Sequence, residues 1–201
     1  MKAVLGVVGG IVLLVVLFLG YQYWKLQKAA VQWNSAKEIA SESIDKDGGK
    51  WKIEFTSIVD KPIEKVWNAL LQPERSKEFI PAFKKSDLVK AEGDKKIIEF
   101  QIQVLTLPLQ TLVAELTFDK AAHRMTVKTV QSQTQDLNAV YELEPSPDGK
   151  RTQIKYTATA VDKVTVPLPL SVQKGAVREL FVNQVRAILK GIQSDEAKAK
   201  T

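Results

Sequence analysis

Ile53-Glu54-Phe55-Thr56-Ser57-Ile58-Val59-Asp60-Lys61-Pro62-Ile63-Glu64-Lys65-Val66-Trp67 places a strand and a helix back to back. Trp51, Ile53 and Phe55 alternate with Lys52, Glu54 and Thr56, the period of a half-buried strand. Asp60 is suited to cap the helix that follows, Pro62 to its first turn and Glu64 to its positive end. Val66, Trp67, Leu70 and Leu71 form the apolar face of that helix. Pro73 ends it and starts a second short helix carrying Phe79 and Ile80, which Pro81 breaks.

Downstream, the period of two continues. A shorter strand is expected over Ser86 to Ala91. Ile98, Phe100, Ile102 and Val104 then share one face, as do Leu112, Ala114, Leu116 and Phe118. Met125, Val127 and Thr129 follow, then Leu137, Ala139, Tyr141 and Leu143, then Ile154, Tyr156, Ala158 and Ala160. Asp119 to Ala122 and the Pro145-to-Gly149 segment read as hairpin turns. One apolar face per strand predicts an antiparallel sheet with one covered side, and no helix-length segment allows a parallel crossover. Last comes a helix from about Leu170 to Ile192, with Val177, Leu180, Phe181, Val185, Ile188, Leu189 and Ile192 at helical spacing. The expected class is therefore α+β: a curved antiparallel sheet of about six or seven strands wrapped around a long C-terminal helix. A gap between the two, lined by apolar side chains, is a usual small-molecule site.

Upstream, Ala3 to Leu19 contains no polar side chain, with Lys2 and Lys25 on either side and Tyr21, Tyr23 and Trp24 at its end. About 20 apolar residues span a bilayer, and aromatic residues belong at its interface. No small-x-small cleavage pattern follows the run. A transmembrane helix over residues 1–25 is expected, with a helical stalk over 26–49 whose thin stripe runs through Leu26, Ala29, Ala30, Trp33, Ala36 and Ala40. Asp45-Lys46-Asp47-Gly48-Gly49 reads as the loop between stalk and domain, residues 50–193 as the domain, and 194–201 as a charged tail. This layout predicts a single-pass protein of a bacterial-type inner membrane; the very short Lys-bearing N-terminus followed by an apolar run resembles a signal anchor and favours an exported domain, whereas Lys25, Lys28 and Lys37 on the other side favour a cytoplasmic one.

The net charge is +6, but the basic residues are scattered in pairs such as Lys84-Lys85 and Lys95-Lys96 without interleaved aromatics. That pattern suits a solvated surface or anionic headgroups, not nucleic acid. There is no cysteine and one histidine, His123, at a turn, which excludes thiolate chemistry and a histidine-rich zinc site. No phosphate-cradling glycine motif occurs, so no cofactor is expected. Glu115 and Glu142 fall on outer strand faces. The inward candidates for ligand contact are Trp67, Phe79, Phe83, Phe100, Phe118, Met125, Tyr141, Tyr156 and Phe181. Asn138, Gln131 and Arg178 are candidates for polar contacts.

The strand that runs into Asp60-x-Pro62-x-x-x-Val66-Trp67 resembles the recurrent opening of the START-like, helix-grip (SRPBCC) superfamily. Leu71 to Phe83, with its proline and aromatics, resembles the matching segment of its polyketide-cyclase/dehydrase and coenzyme-Q-binding branch. The resemblance covers about Lys50 to Ile192 and implies a cavity between sheet and C-terminal helix. The expected function is membrane-anchored binding or transfer of a hydrophobic small molecule, a lipid or isoprenoid quinone, with catalysis left open. One alternative is an enzyme of the polyketide cyclase/dehydratase type on the same scaffold; another is a non-catalytic envelope interaction module with a filled core.

Overall fold

The computed structural model describes residues 33–104 and 108–200. From Ala36 onward they belong to a single unit. Its strands are β1 (Lys37–Asp47), β2 (Lys50–Val59), β3 (Phe83–Glu92), β4 (Lys95–Ile102), β5 (Gln110–Asp119), β6 (Arg124–Ser132), β7 (Gln135–Pro145) and β8 (Thr152–Asp162). Between β2 and β3 lie α1 (Ile63–Leu70), a 3-10 turn (Pro73–Arg75) and α2 (Ser76–Phe79); α3 (Leu170–Lys198) closes the unit. The sheet is wholly antiparallel in the order β1-β2-β8-β7-β6-β5-β4-β3. It thus has eight strands, one more than the upper expectation.

The extra strand is β1, and it corrects the stalk. Residues 37–43 are not helical; Lys37-to-Asp47 pairs along β2. Gly48 and Gly49, expected as the domain boundary, are the two residues of a tight hairpin, at φ +51° and +84°. Two consecutive positive φ values match the twist of a hairpin and suit glycine. The strand has little apolar alternation; Ile39 and Ile44 alone pack against the core. Ion pairs tie the rest to α3: Arg186 to Glu38 at 2.6 Å and Arg178 to Glu42 at 2.7 Å. Eight residues of helix rise about 12 Å and four residues of strand about 13 Å, so both pairs form in one register.

The 194–201 tail is also corrected. The helix runs on to Lys198, and its last turns are docked. Asp195 accepts from Arg75 at 2.9 Å. Glu196 pairs with Lys61 at 2.9 Å and with Lys65, and these two lysines hold its carboxyl down to about 2. Asp60, expected as the α1 cap, pairs with Arg151 instead. Pro62 occupies the capping position and its carbonyl accepts from Lys65 and Val66.

The core lies between the inner face of the sheet, α1 and α3. Trp51, Ile53 and Phe55 are buried while Lys52 and Glu54 are exposed, as the alternation predicts. Among the described residues no helix is long and apolar enough to cross a membrane; the expected anchor, residues 1–25, lies outside them.

Candidate functional site: a cavity between sheet and C-terminal helix

The packing between sheet and α3 is incomplete. A cavity of about 290 Å³ remains, bounded by β2 and β4 to β8, by α3, and by the segment from Ala69 to Phe83 that crosses from α1 to β3. The sequence directs the lining: inward residues of each strand meet the stripe Val177-Leu180-Phe181-Gln184-Ala187-Ile188-Gly191, which recurs at three and four residues along α3. At Gly191 the absent side chain leaves the helix close to the ring of Phe79.

Seven of the nine predicted residues line this cavity: Phe79, Phe83, Phe100, Met125, Tyr141, Tyr156 and Phe181. Trp67 and Phe118 do not. They meet edge to face at 6.2 Å, outside the cavity lining, and Trp67 also packs on the His123 ring at 5.6 Å. Trp67 is fully buried and serves to seat α1 on the sheet. His123 stands in the expected turn, at φ +45°, with Nε2 3.1 Å from Glu64, away from the cavity.

The aromatic side chains form a contiguous wall. Phe181 stacks on Phe55 at 4.5 Å and meets Tyr156 at 5.7 Å; Tyr156 lies 4.7 Å from Tyr141. Phe83 and Phe100 form a second pair at 5.3 Å. Each value is a centroid separation in the range where such rings attract.

The polar contacts are few. The Tyr141 hydroxyl donates to Oε1 of Gln184, whereas the Tyr156 hydroxyl has no hydrogen-bond partner among the described residues. Burial pushes both phenols up, and the neighbouring Tyr156 adds to the effect at Tyr141; both are neutral donors near pH 7. Arg75 is the one charged side chain in the lining. Its Nη1 donates to Asp195 and, at 3.1 Å, to Gln72; its Nε donates to Glu78 at 3.2 Å. Its buried Nη2 has no partner. Among the described residues the lining holds no carboxylate and no histidine, and no group of three or more potential metal-ligating residues occurs.

Gln184, Arg75 and Phe55 were not among the predicted contacts. Gln184 was legible: it falls seven residues after Val177 and three after Phe181, a polar residue within the apolar stripe. Phe55 shares the inward parity of Ile53. Arg75 carried no such signal, since a short turn has no face to read. Asn138 lies on the outer face of the sheet, in a shallow open groove of about 430 Å³ that Glu115 also lines. Gln131 is exposed, and Arg178 is engaged by Glu42. Glu142 is on the outer face as predicted, paired with Arg124.

The family model described as polyketide cyclase / dehydrase and lipid transport matches residues 50–194. No curated protein matches the chain. Among solved structures, the chain is similar to the Zhui aromatase/cyclase from Streptomyces sp. R1128, with 15% identity, a TM-score of 0.63, and 72% of this chain and 94% of that one covered. A START superfamily protein from Mycobacterium smegmatis aligns with a TM-score of 0.58 and 11% identity, over 71% of this chain and 97% of the other. TTHA0849 from Thermus thermophilus aligns at 0.56 and 16% identity, over 75% and 99%. At these identities the likeness is one of fold, and it is the helix-grip arrangement that the opening strand and helix predict.

Proposed function

The chain belongs to the polyketide cyclase / dehydrase and lipid transport family, and from that premise we propose that it binds a hydrophobic small molecule, a lipid or isoprenoid quinone, between the sheet and α3. The observation that carries this reading is the cavity itself. A module with a filled core would bury these aromatics against one another; here about 290 Å³ stays open beside them. The driving force is removal of apolar ligand surface from water, about 0.8 kcal/mol for each CH₂ buried. We propose further that the apolar run from Ala3 anchors the chain in a bilayer, where such ligands reside, with the domain exported.

A second reading is a cyclase- or dehydratase-type enzyme. It is favoured by the unpartnered Tyr156 hydroxyl and the unpartnered Arg75 nitrogen, both in the lining. The absence of carboxylate and histidine from the described lining leaves a general base unassigned, so binding is the stronger reading.

Fluorescence titration with N-phenyl-1-naphthylamine tests it. The wild-type chain is expected to bind the probe saturably. Leu180→Trp, which places an indole ring in the cavity from the half-buried face of α3, is expected to weaken binding at least tenfold without lowering the melting temperature. Equal binding by the two proteins would place the probe elsewhere.

A further inference from the structure

Two hydrogen-bond donors on the cavity's inner wall are unused. The Tyr141 hydroxyl donates to Gln184 Oε1, so the glutamine's acceptor is used and its Nε2 points its two hydrogens to no acceptor. The Tyr156 hydroxyl, 4.7 Å away by ring centroid from Tyr141, likewise has no acceptor. Both side chains line the cavity. Neither donor is bonded within the described residues, so a ligand acceptor placed between them gains about one hydrogen bond's worth each; the lining's other amides, Gln72, which accepts from Arg75, and Gln135, which donates to Asp162, make no bond to this pair.

We propose that the ligand carries an uncharged acceptor oxygen of the carbonyl type, a ketone, quinone or ester, which the Tyr156 hydroxyl and the Gln184 amide receive. This rests on the reading that the cavity is a ligand site, and it goes on to define the ligand's polar group. A carboxylate fits worse. No cation stands beside the tyrosines, and burying an uncompensated charge is far more costly than burying a carbonyl. The one cation of the lining, Arg75, is already held by Asp195 and Glu78, two carboxylates on one guanidinium. Asp195 is eleven residues beyond Gln184 on α3, about 16 Å along the helix, so Arg75 does not serve the tyrosine cluster.

Three molecules of one shape separate the possibilities: 2-acetylnaphthalene, 2-isopropylnaphthalene and 2-naphthoate. Their affinities are measured by competition against N-phenyl-1-naphthylamine on the full chain, wild type and with Tyr156→Phe or Gln184→Leu. Tyr156→Phe removes a hydroxyl that bonds nothing in the protein, so its melting temperature is expected to stay unchanged. It is expected to weaken the ketone about five- to tenfold, the worth of one hydrogen bond, and to leave the hydrocarbon within twofold. Gln184→Leu is expected to act in the same direction, and naphthoate to bind at least tenfold more weakly than the ketone. A Tyr156→Phe change that shifts ketone and hydrocarbon alike, or naphthoate binding more tightly than the ketone, would overturn the acceptor assignment while the cavity stands as a ligand site. Failure of the wild type to bind the fluorescent probe and all three molecules would overturn the ligand site and this assignment together.

Discussion

Tyr141 and Tyr156 share a wall and a chemistry but differ in one bond, and that difference can be measured. Tyr141→Phe strands Gln184 Oε1, which accepts the Tyr141 hydroxyl, and is expected to cost about 1 kcal/mol of stability; Tyr156→Phe is expected to cost none. Thermal melts of the two variants check this. Both phenols are raised above their ordinary value of 10. A raised folded value means that stability is full below pH 10 and falls as the pH climbs above it, because the unfolded chain ionises first. Absorbance at 295 nm is therefore expected to show both phenols titrating only as the fold is lost. Period-two reading found both tyrosines because a strand side chain has two possible faces. It misassigned Phe118, and the helical-face reading misassigned Trp67, because inward-facing is not the same as cavity-facing: the rings that seat α1 on the sheet point into the same core as those that line the void. Which inward residues stay unpacked is set by how α3 and the 69–83 segment lie over the sheet, and no single position encodes that.

At the scale of elements, β1 was the part that sequence concealed. Lys37-Glu38-Ile39-Ala40-Ser41-Glu42-Ser43 has neither an apolar alternation nor a strong helical stripe. Its conformation comes from the free edge of β2 and from cations on α3, partners more than a hundred residues away. A chain shortened to begin at Ala36 is expected to melt as one cooperative transition. One shortened to begin at Gly48 loses the β1 pairing and both arginine pairs, and it exposes the β2 edge. It is expected to melt at lower temperature and to aggregate; equal melting temperatures would show that β1 is dispensable. The far end of α3 responds to acid. The Glu196 carboxyl is depressed to about 2 by Lys65 and Lys61, so its pairing contributes stability above the ordinary value of 4.5 and is lost as the pH falls from 4.5 toward 2. Glu196→Gln is expected to melt below the wild type at pH 6, with the gap narrowing through that window. A gap independent of pH would mean that the lysines do not hold this carboxylate.

Over the whole molecule, the order of elements mattered more than any residue. A strand entering a Pro-started helix, a run of hairpins and one long final helix leave few ways to cover an antiparallel sheet, which is why the architecture was readable from Ile53 to Trp67 outward. The apolar run from Ala3 is a separate proposal: N-terminal sequencing of the protein recovered from membranes is expected to begin before Ala3, and a start after Leu19 would show cleavage. The central claim is that the space between sheet and α3 is a ligand site. Native mass spectrometry of the gently purified full chain tests it most directly. The account predicts a species heavier than the polypeptide by one small apolar molecule, released on activation and depleted in Leu180→Trp. A single mass equal to the bare polypeptide, in a folded protein that also fails to take up an added lipid or quinone, would contradict it.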